Sequence, residues 1–208
     1  MTANGDAVDA GGRLLEDGVL DRLVAFLGLE DPATGKHAVE LSAGLADAEV
    51  GRLERRWDLV FPPDLRAFLQ RCVPTSHGFV DWRDPAVVGA RLGWPADGIG
   101  FDVGNGALWL PAWGERPIDD EDAAAVAQHA VATFPRLIPL ASHRYLVGEP
   151  AVVGNPVLSV YQSDIIFYGD NLADWFHRDH GFEGPVPSDG PDRDLGGWHP
   201  FLFDDDLW

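Results

Sequence analysis

Residues 156–176 read PVLSVYQSDIIFYGDNLADWF. Two apolar runs, Val157 to Tyr161 and Ile165 to Tyr168, flank the polar trio Gln162, Ser163 and Asp164, the pattern of a β-hairpin. Asn171 then stands where a helix N-cap belongs, ahead of Leu172, Trp175 and Phe176 at helical spacing. His177, Arg178 and His180 fall in the last turn, where cations complement the negative helix end, and Gly181 follows as a C-terminal cap. Because Ile165, Ile166 and Phe167 are consecutive and apolar, their strand is expected to be central and buried on both faces. A hairpin feeding a helix points to an α+β fold.

Working outward, residues 134–145 (FPRLIPLASHRY) turn extended after Pro135 and predict further strands through Leu137–Leu140 and Ser142–Leu146. Asp119, Asp120, Glu121 and Asp122 open a helix carried by Ala123, Val126, Ala127, Ala130, Val131 and Phe134; carboxylates at that end meet the positive pole of the dipole. Ile99, Phe101 and Val103 alternate with Gly100 and Asp102, and Gly104-Asn105-Gly106 follows before Ala107–Leu110, which predicts a second hairpin. Thr75 to Pro95 has poor periodicity and reads as an ordered loop or a short helical insertion over Pro85–Leu92.

Nearer the start, residues 53–69 read LERRWDLVFPPDLRAFL. Leu45, Val50, Leu53 and Trp57 mark one helix face, with Ser42 as its expected cap. Pro62 breaks the chain; Pro63 and Asp64 suit a new first turn, and Leu65, Phe68, Leu69 and Cys72 form an i, i+3, i+4, i+7 stripe. Leu14, Leu15, Leu20, Leu23, Val24 and Leu27 predict a first helix ending at Gly28. Residues 1–11 read as a tail, 12–182 as one domain, and 183–208 as an acidic, Gly/Pro-rich tail without helical period whose apolar residues could dock on the body.

In this order, LERRW…FPPDLRAFL, FPRLIPLASHRY and PVLSVYQSDIIFYGDNLADWF resemble the SUKH superfamily, which groups cell-wall regulators of the Smi/Knr type with bacterial immunity proteins. The resemblance covers about residues 42–180. The chain departs from the family pattern where Cys72-Val73-Pro74 precedes a late Gly78, and in the insert bearing Trp82 and Trp94. What the resemblance implies is an α+β protein-binding domain without a catalytic centre, often the antidote to a toxin, frequently a nuclease.

Charge narrows the choice. The 208 residues carry 34 Asp and Glu against 15 Lys and Arg, a formal net charge of −19. Such a chain is a poor match for phosphate backbones or anionic membranes, and its field would draw in a basic protein partner. Eight tryptophans supply ample core material. One cysteine, Cys72, leaves no internal disulfide and suits a reducing compartment. No apolar run approaches the ~20 residues a membrane helix needs, and Met1–Gly12 lacks the basic and apolar parts of a signal peptide, so the expectation is cytoplasmic.

Reactive constellations are thin. His177 and His180 lie one turn apart and could hold a metal, but no third ligand stands out and capping a helix end is the preferred reading. His143 with Asp164 or Asp170 and Ser159 or Ser163 could be drawn as a triad, without the Gly-x-Ser-x-Gly turn that would support it. The glycines at 98, 100, 104 and 106 read as turns, since no Lys-Ser/Thr follows. No cofactor is expected. The reading is one α+β domain with a mixed or antiparallel sheet of about five or six strands, helices mainly on one face, binding a basic protein. The expected contacts, taken from acid- and aromatic-bearing loops, are Asp81, Trp82, Asp84, Trp94, Asp102, Trp113 and Glu115. A regulatory or scaffold role and a small hydrolase or metal enzyme are the alternatives.

Overall fold

The computed structural model describes residues 18–29, 39–76, 78–184 and 195–204. Helix α1 (Val19–Leu27) buries Leu20, Leu23 and Leu27, the predicted stripe; Leu14 and Leu15 lie outside the described residues. Strand β1 (Leu41–Ala43) pairs antiparallel with β2 (Cys72–Pro74), with Ser42 opposite Val73. Ser42 is therefore a strand residue rather than a helix cap, and its hydroxyl donates to the Val73 carbonyl at 3.1 Å. Helix α2 (Asp47–Trp57) starts later, where Glu49 reaches back to accept the Ala46 N–H at 2.9 Å. The delay has a steric cause. The chain passes so close to the end of α3 (Pro63–Arg71) that a Cβ on Gly44 would sit 2.0 Å from the Gln70 carbonyl oxygen.

Helix α3 begins at the proline break as expected and buries Leu65, Phe68 and Leu69. Asp64 does more than meet the dipole. Its carboxylate is buried and accepts the N–H groups of Leu65 at 3.0 Å and of Gly154 at 3.2 Å, which ties the helix start to a loop far along the chain.

The largest departure from expectation lies in residues 85–104. They form one helix, α4 (Pro85–Gly104), which takes in the helical insertion expected as one alternative over Pro85–Leu92 and replaces the hairpin expected after it. Asp84 caps it by accepting from the N–H groups of Ala86 and Val87, and Pro85 occupies the first turn, where its missing donor is harmless. Val88, Pro95, Ile99 and Val103 are buried and follow a helical period, so Phe101, which made the run 99–103 look alternating, lies on the opposite side and is exposed. Pro95 cannot donate to the Arg91 carbonyl one turn back. The hydroxyl of Tyr145, from the sheet, donates there instead at 2.9 Å. Asn105 closes the helix, its side-chain amide donating to the Phe101 carbonyl at 2.8 Å. The glycines serve close approach: a Cβ on Gly98 would meet Gln162 Cα at 2.9 Å, and one on Gly100 would meet Gln128 Cγ at 2.6 Å.

Helix α5 (Asp120–Val131) follows, capped by Asp119, which accepts from Glu121 and Asp122. Strands β3 (Leu137–Ala141), β4 (Arg144–Val147), β5 (Val157–Tyr161) and β6 (Asp164–Gly169) then pair in sequence order as an antiparallel meander. The fold class is α+β, with a four-stranded sheet plus the separate β1–β2 pair rather than one sheet of five or six strands. The hairpin of β5 and β6 is present as read, but β6 is an edge strand, not a central one. Ile166 and Phe167 are 53% and 44% exposed, and no later strand among the described residues adds to the meander. Helix α6 (Leu172–His180) carries the Asn171 cap and ends at Gly181 in the left-handed conformation. In the chain-terminal segment, a 3₁₀ turn over Gly196–Trp198 leads into α7 (His199–Phe203), so the region read as aperiodic holds a short helix that docks through Leu195, Trp198 and Phe201.

Side chains alternating along the strands divide the core in two. Ile138, Leu146 and Val157 face a cluster built with α1, α2, α3 and α6, which form the larger helical layer. Leu137, Tyr145, Val147, Leu158, Val160 and Ile165 face a second cluster made with the later half of α4, α5 and the chain-terminal segment. That second cover adds a layer to the expected arrangement.

Candidate partner-docking face

Helix α4 is amphipathic twice over. Its buried stripe faces the core, and a second apolar row faces outward: Val87, Trp94 and Phe101, spaced by seven residues, are 37%, 38% and 60% exposed. Seven residues make nearly two turns, so the three fall close to one line about 21 Å long at ~1.5 Å per residue. The Arg91 guanidinium lies 5.9 Å from the Trp94 ring centroid, at the outer range of a cation–π contact.

At its C-terminal end this row borders an open groove between α4 and α5 of about 380 Å³. Asp97, Phe101, Asp120, Glu121 and Gln128 are among its walls. The helices can pack closely here because Gly100 and Gly104 present no side chain to Gln128 and Ala124. Arg116 crosses nearby and donates to Asp120 at 2.6 Å and to the Val103 carbonyl at 3.1 Å. Ile118, just before α5, is fully exposed. An exposed aromatic beside three carboxylates can receive the aliphatic stem and cationic head of an arginine or lysine.

The seven residues expected to make contacts separate into two groups. Trp82 is a core residue, packed edge-on against Phe61 at 4.8 Å, since the loop that bears it folds inward. Asp84 is spent on the α4 cap, and Asp81 accepts the Arg83 N–H at 2.9 Å. Asp102 accepts both the backbone N–H of Ser163, at 3.0 Å, and the Ser163 hydroxyl, which ties α4 to the turn between β5 and β6. Trp113 is half-buried and packs edge-on against Trp109 at 5.3 Å. Trp94 and Glu115 are exposed, and Trp94 alone sits in the outward row. Val87, Asp97, Phe101, Asp120 and Glu121 were not among the expected contacts. The signal was available: the Asp84-Pro85 helix start followed by large apolar residues at 87, 94 and 101.

The other candidates are absorbed into the fold. Ser159 receives the Arg144 guanidinium at 2.9 Å, and His143 meets Ser142 at 3.2 Å and the edge of the Tyr161 ring. Burial and the neighbouring Arg144 hold His143 below the ordinary imidazole range, against the pull of Asp179. His177 contacts the Phe182 carbonyl at 3.2 Å, and His180 stacks on Phe79 at 5.2 Å. Asp179 gathers Arg144 (3.2 Å), the Trp175 indole N–H (2.6 Å) and the Tyr168 hydroxyl, with the Arg144 guanidinium 3.4 Å over the Tyr168 ring. Among the described residues no group of three or more His, Cys, Asp or Glu is placed to hold a metal ion. No described helix is long and apolar enough to cross a membrane.

No family model matches the chain, and neither a curated protein nor a solved structure shows significant similarity to it.

Proposed function

We propose that this chain is a protein-binding module of SUKH type whose partner is a basic protein, received on the outer row of α4 and the acidic α4–α5 groove. Neutralisation of a toxin by occlusion is the role that suits it best. The observation that carries the reading is the line Val87–Trp94–Phe101 running into Asp97, Asp120 and Glu121. The run of elements from α2 through the proline break and α3 to the meander and α6 supports the resemblance.

Energetics assign different jobs to the two features. Solvated carboxylates such as Asp97 and Asp120 each contribute ~0–1 kcal/mol, so they act mainly through steering and partner choice. Two exposed aromatics able to enter pockets on a partner are the anchors. Cys72, buried and pushed up to about 11 by that burial, stays a thiol, in keeping with the cytoplasmic setting proposed.

The test is capture of partners by the immobilised chain from its native host at low salt, with a Trp94→Ala/Phe101→Ala variant in parallel. The expected result is a basic protein held by the parent chain, with affinity lower by roughly 2–4 kcal/mol in the variant. Association should slow steeply as ionic strength rises, because the Debye length shrinks from ~10 Å at 0.1 M to ~3 Å at 1 M. Retention of only acidic partners, or equal retention by the variant, would defeat the reading.

A further inference from the structure

Outside the α4–α5 groove, α2 bears Arg52, Arg55 and Arg56 within five residues of a chain whose net charge is −19. Arg52 and Arg56 line a cavity of about 290 Å³ between α2 and the start of α4, together with Glu49, Trp57, Trp82 and Arg83. Leucine and proline side chains complete the wall.

The polar groups of this cavity divide into those already engaged and those not. Arg83 is fully committed: it pairs with Glu49 at 3.1 Å and donates to the carbonyls of Ala43 at 2.9 Å and Gly44 at 3.1 Å. Glu49 is equally occupied: the Ala46 N–H, Arg83 and, more weakly, the charge of Arg52 hold its carboxyl below the ordinary range. Arg52 and Arg56 have no carboxylate within ion-pair distance among the described residues; Arg56 instead lies 5.2 Å from the centroid of the Trp57 ring. The Trp57 indole N–H is buried and meets no acceptor among the described residues. Buried donors of this kind are rare and call for an explanation.

We propose that this cavity binds a small organic anion, a single carboxylate or phosphate head on a compact apolar body. Arg52 and Arg56 supply the positive charge for the head. The Trp57 ring lines the cavity, and its indole N–H is a donor that the described residues leave unused. Glu49 does not oppose binding because Arg83 and the Ala46 N–H neutralise it locally. The volume lies at the low end of the ~300–1,000 Å³ of small-molecule sites, which limits the ligand to about one ring. Arginine in place of lysine suits planar or tetrahedral oxyanions, since its fork presents paired donors.

The experiment follows the Trp57 indole signal in ¹⁵N–¹H spectra, assigned with Trp57→Phe, while phenyl phosphate or benzoate is added to the full chain. The expected result is a saturable downfield shift with a Kd of about 0.1–1 mM. Inorganic phosphate and benzyl alcohol, which carry the head or the body alone, should bind at least ~10-fold more weakly. Arg52→Ala with Arg56→Ala should weaken phenyl phosphate binding by at least ~10-fold with an unchanged melting temperature. The absence of a saturable Trp57 shift up to about 10 mM of either anion would overturn the proposal. So would equal binding by the double variant, or by inorganic phosphate. Neither arginine belongs to the outer row of α4 or to the α4–α5 groove, so failure here leaves the docking reading standing, and the converse holds.

Discussion

The two faces of the β3–β6 sheet are closed by different means. On one face, large side chains do the work: Trp175, Phe176, Phe68 and Leu65 are buried, and the buried carboxylates of Asp64 and Asp174 are satisfied by neighbouring N–H groups and, for Asp174, by Arg178 at 2.7 Å. On the other, a glycine-rich helix lies close against α5, and the chain-terminal segment supplies Trp198 and Phe201. The first face relies on bulk carried by well-signalled helices. The second relies on close approach and on groups that complete one another across long stretches of chain.

The sharpest test of this contrast sets Trp175→Ala beside Trp198→Ala. Trp175 touches Phe79, Phe176 and His180 and donates to Asp179, so its loss should cost the most, ~4–5 kcal/mol by denaturant melts. Trp198 is equally buried and donates to the Pro135 carbonyl at 2.7 Å, and about 3 kcal/mol is expected. A loss under ~1 kcal/mol for Trp198 would mean that the terminal segment merely decorates the second face.

Close approach is tested by Gly98→Ala. The added methyl would sit 2.9 Å from the backbone Cα of Gln162, which cannot swing aside as the Gln128 side chain beside Gly100 can, so a loss of ~1–3 kcal/mol is expected at Gly98 and little at Gly100. Helix propensity alone predicts the opposite sign, a gain of about 1 kcal/mol, so the measurement decides between packing and propensity.

Tyr145→Phe removes the hydroxyl that fills the gap left by Pro95 and leaves the Arg91 carbonyl without it. A loss of ~1–2 kcal/mol should result, with the spectrum of the first face unchanged.

The smallest effect belongs to the first face and appears only at high pH. Burial raises the Cys72 thiol from 9.0 to about 11. The unfolded chain therefore gives up that proton first, and stability falls as pH climbs from 9.0 towards about 11, with no contribution below. Cys72→Ala should show a shallower decline across that interval in pH-dependent melts, and an unaltered slope would refute the assignment.

The same contrast explains what could be read from the residues. Elements whose signals are local were legible: the Pro62–Pro63 restart of α3, the Asp119 cap of α5, the β5–β6 hairpin and the Asn171 cap of α6. Of helix α4 only the start, Pro85–Leu92, was readable as a helix, because the Gly and Pro content and the pseudo-alternation of Ile99, Phe101 and Val103 mimic strands and turns; contacts with Gln162, Gln128 and Tyr145 favour the rest. Strand β6 was misplaced for a related reason, since an apolar run does not say whether a further strand will cover it. Of the expected contacts, Trp94 alone joins the docking row. Asp81 and Asp84 were spent on local hydrogen bonds and Asp102 on a distant one to Ser163, none of which composition can reveal, and Trp82 turned inward. Trp57 was rightly placed on an apolar helix face, but the idle indole donor could not be seen without geometry.

Tyr145 reaching the Arg91 carbonyl has a consequence for synthesis. Residues 85–104 emerge from the ribosome about forty residues before their partner on β4, and at ~5–20 residues per second that interval lasts seconds. During it, a stretch with five glycines and two prolines, one of them internal, has little reason to coil on its own. Nascent α4 therefore stays unstructured until the meander is made, and the docking row of Val87, Trp94 and Phe101 comes into being only with the finished sheet. A chain halted before β4 would display Trp94 and Phe101 without order, so the docking proposed here would have nothing to rest on.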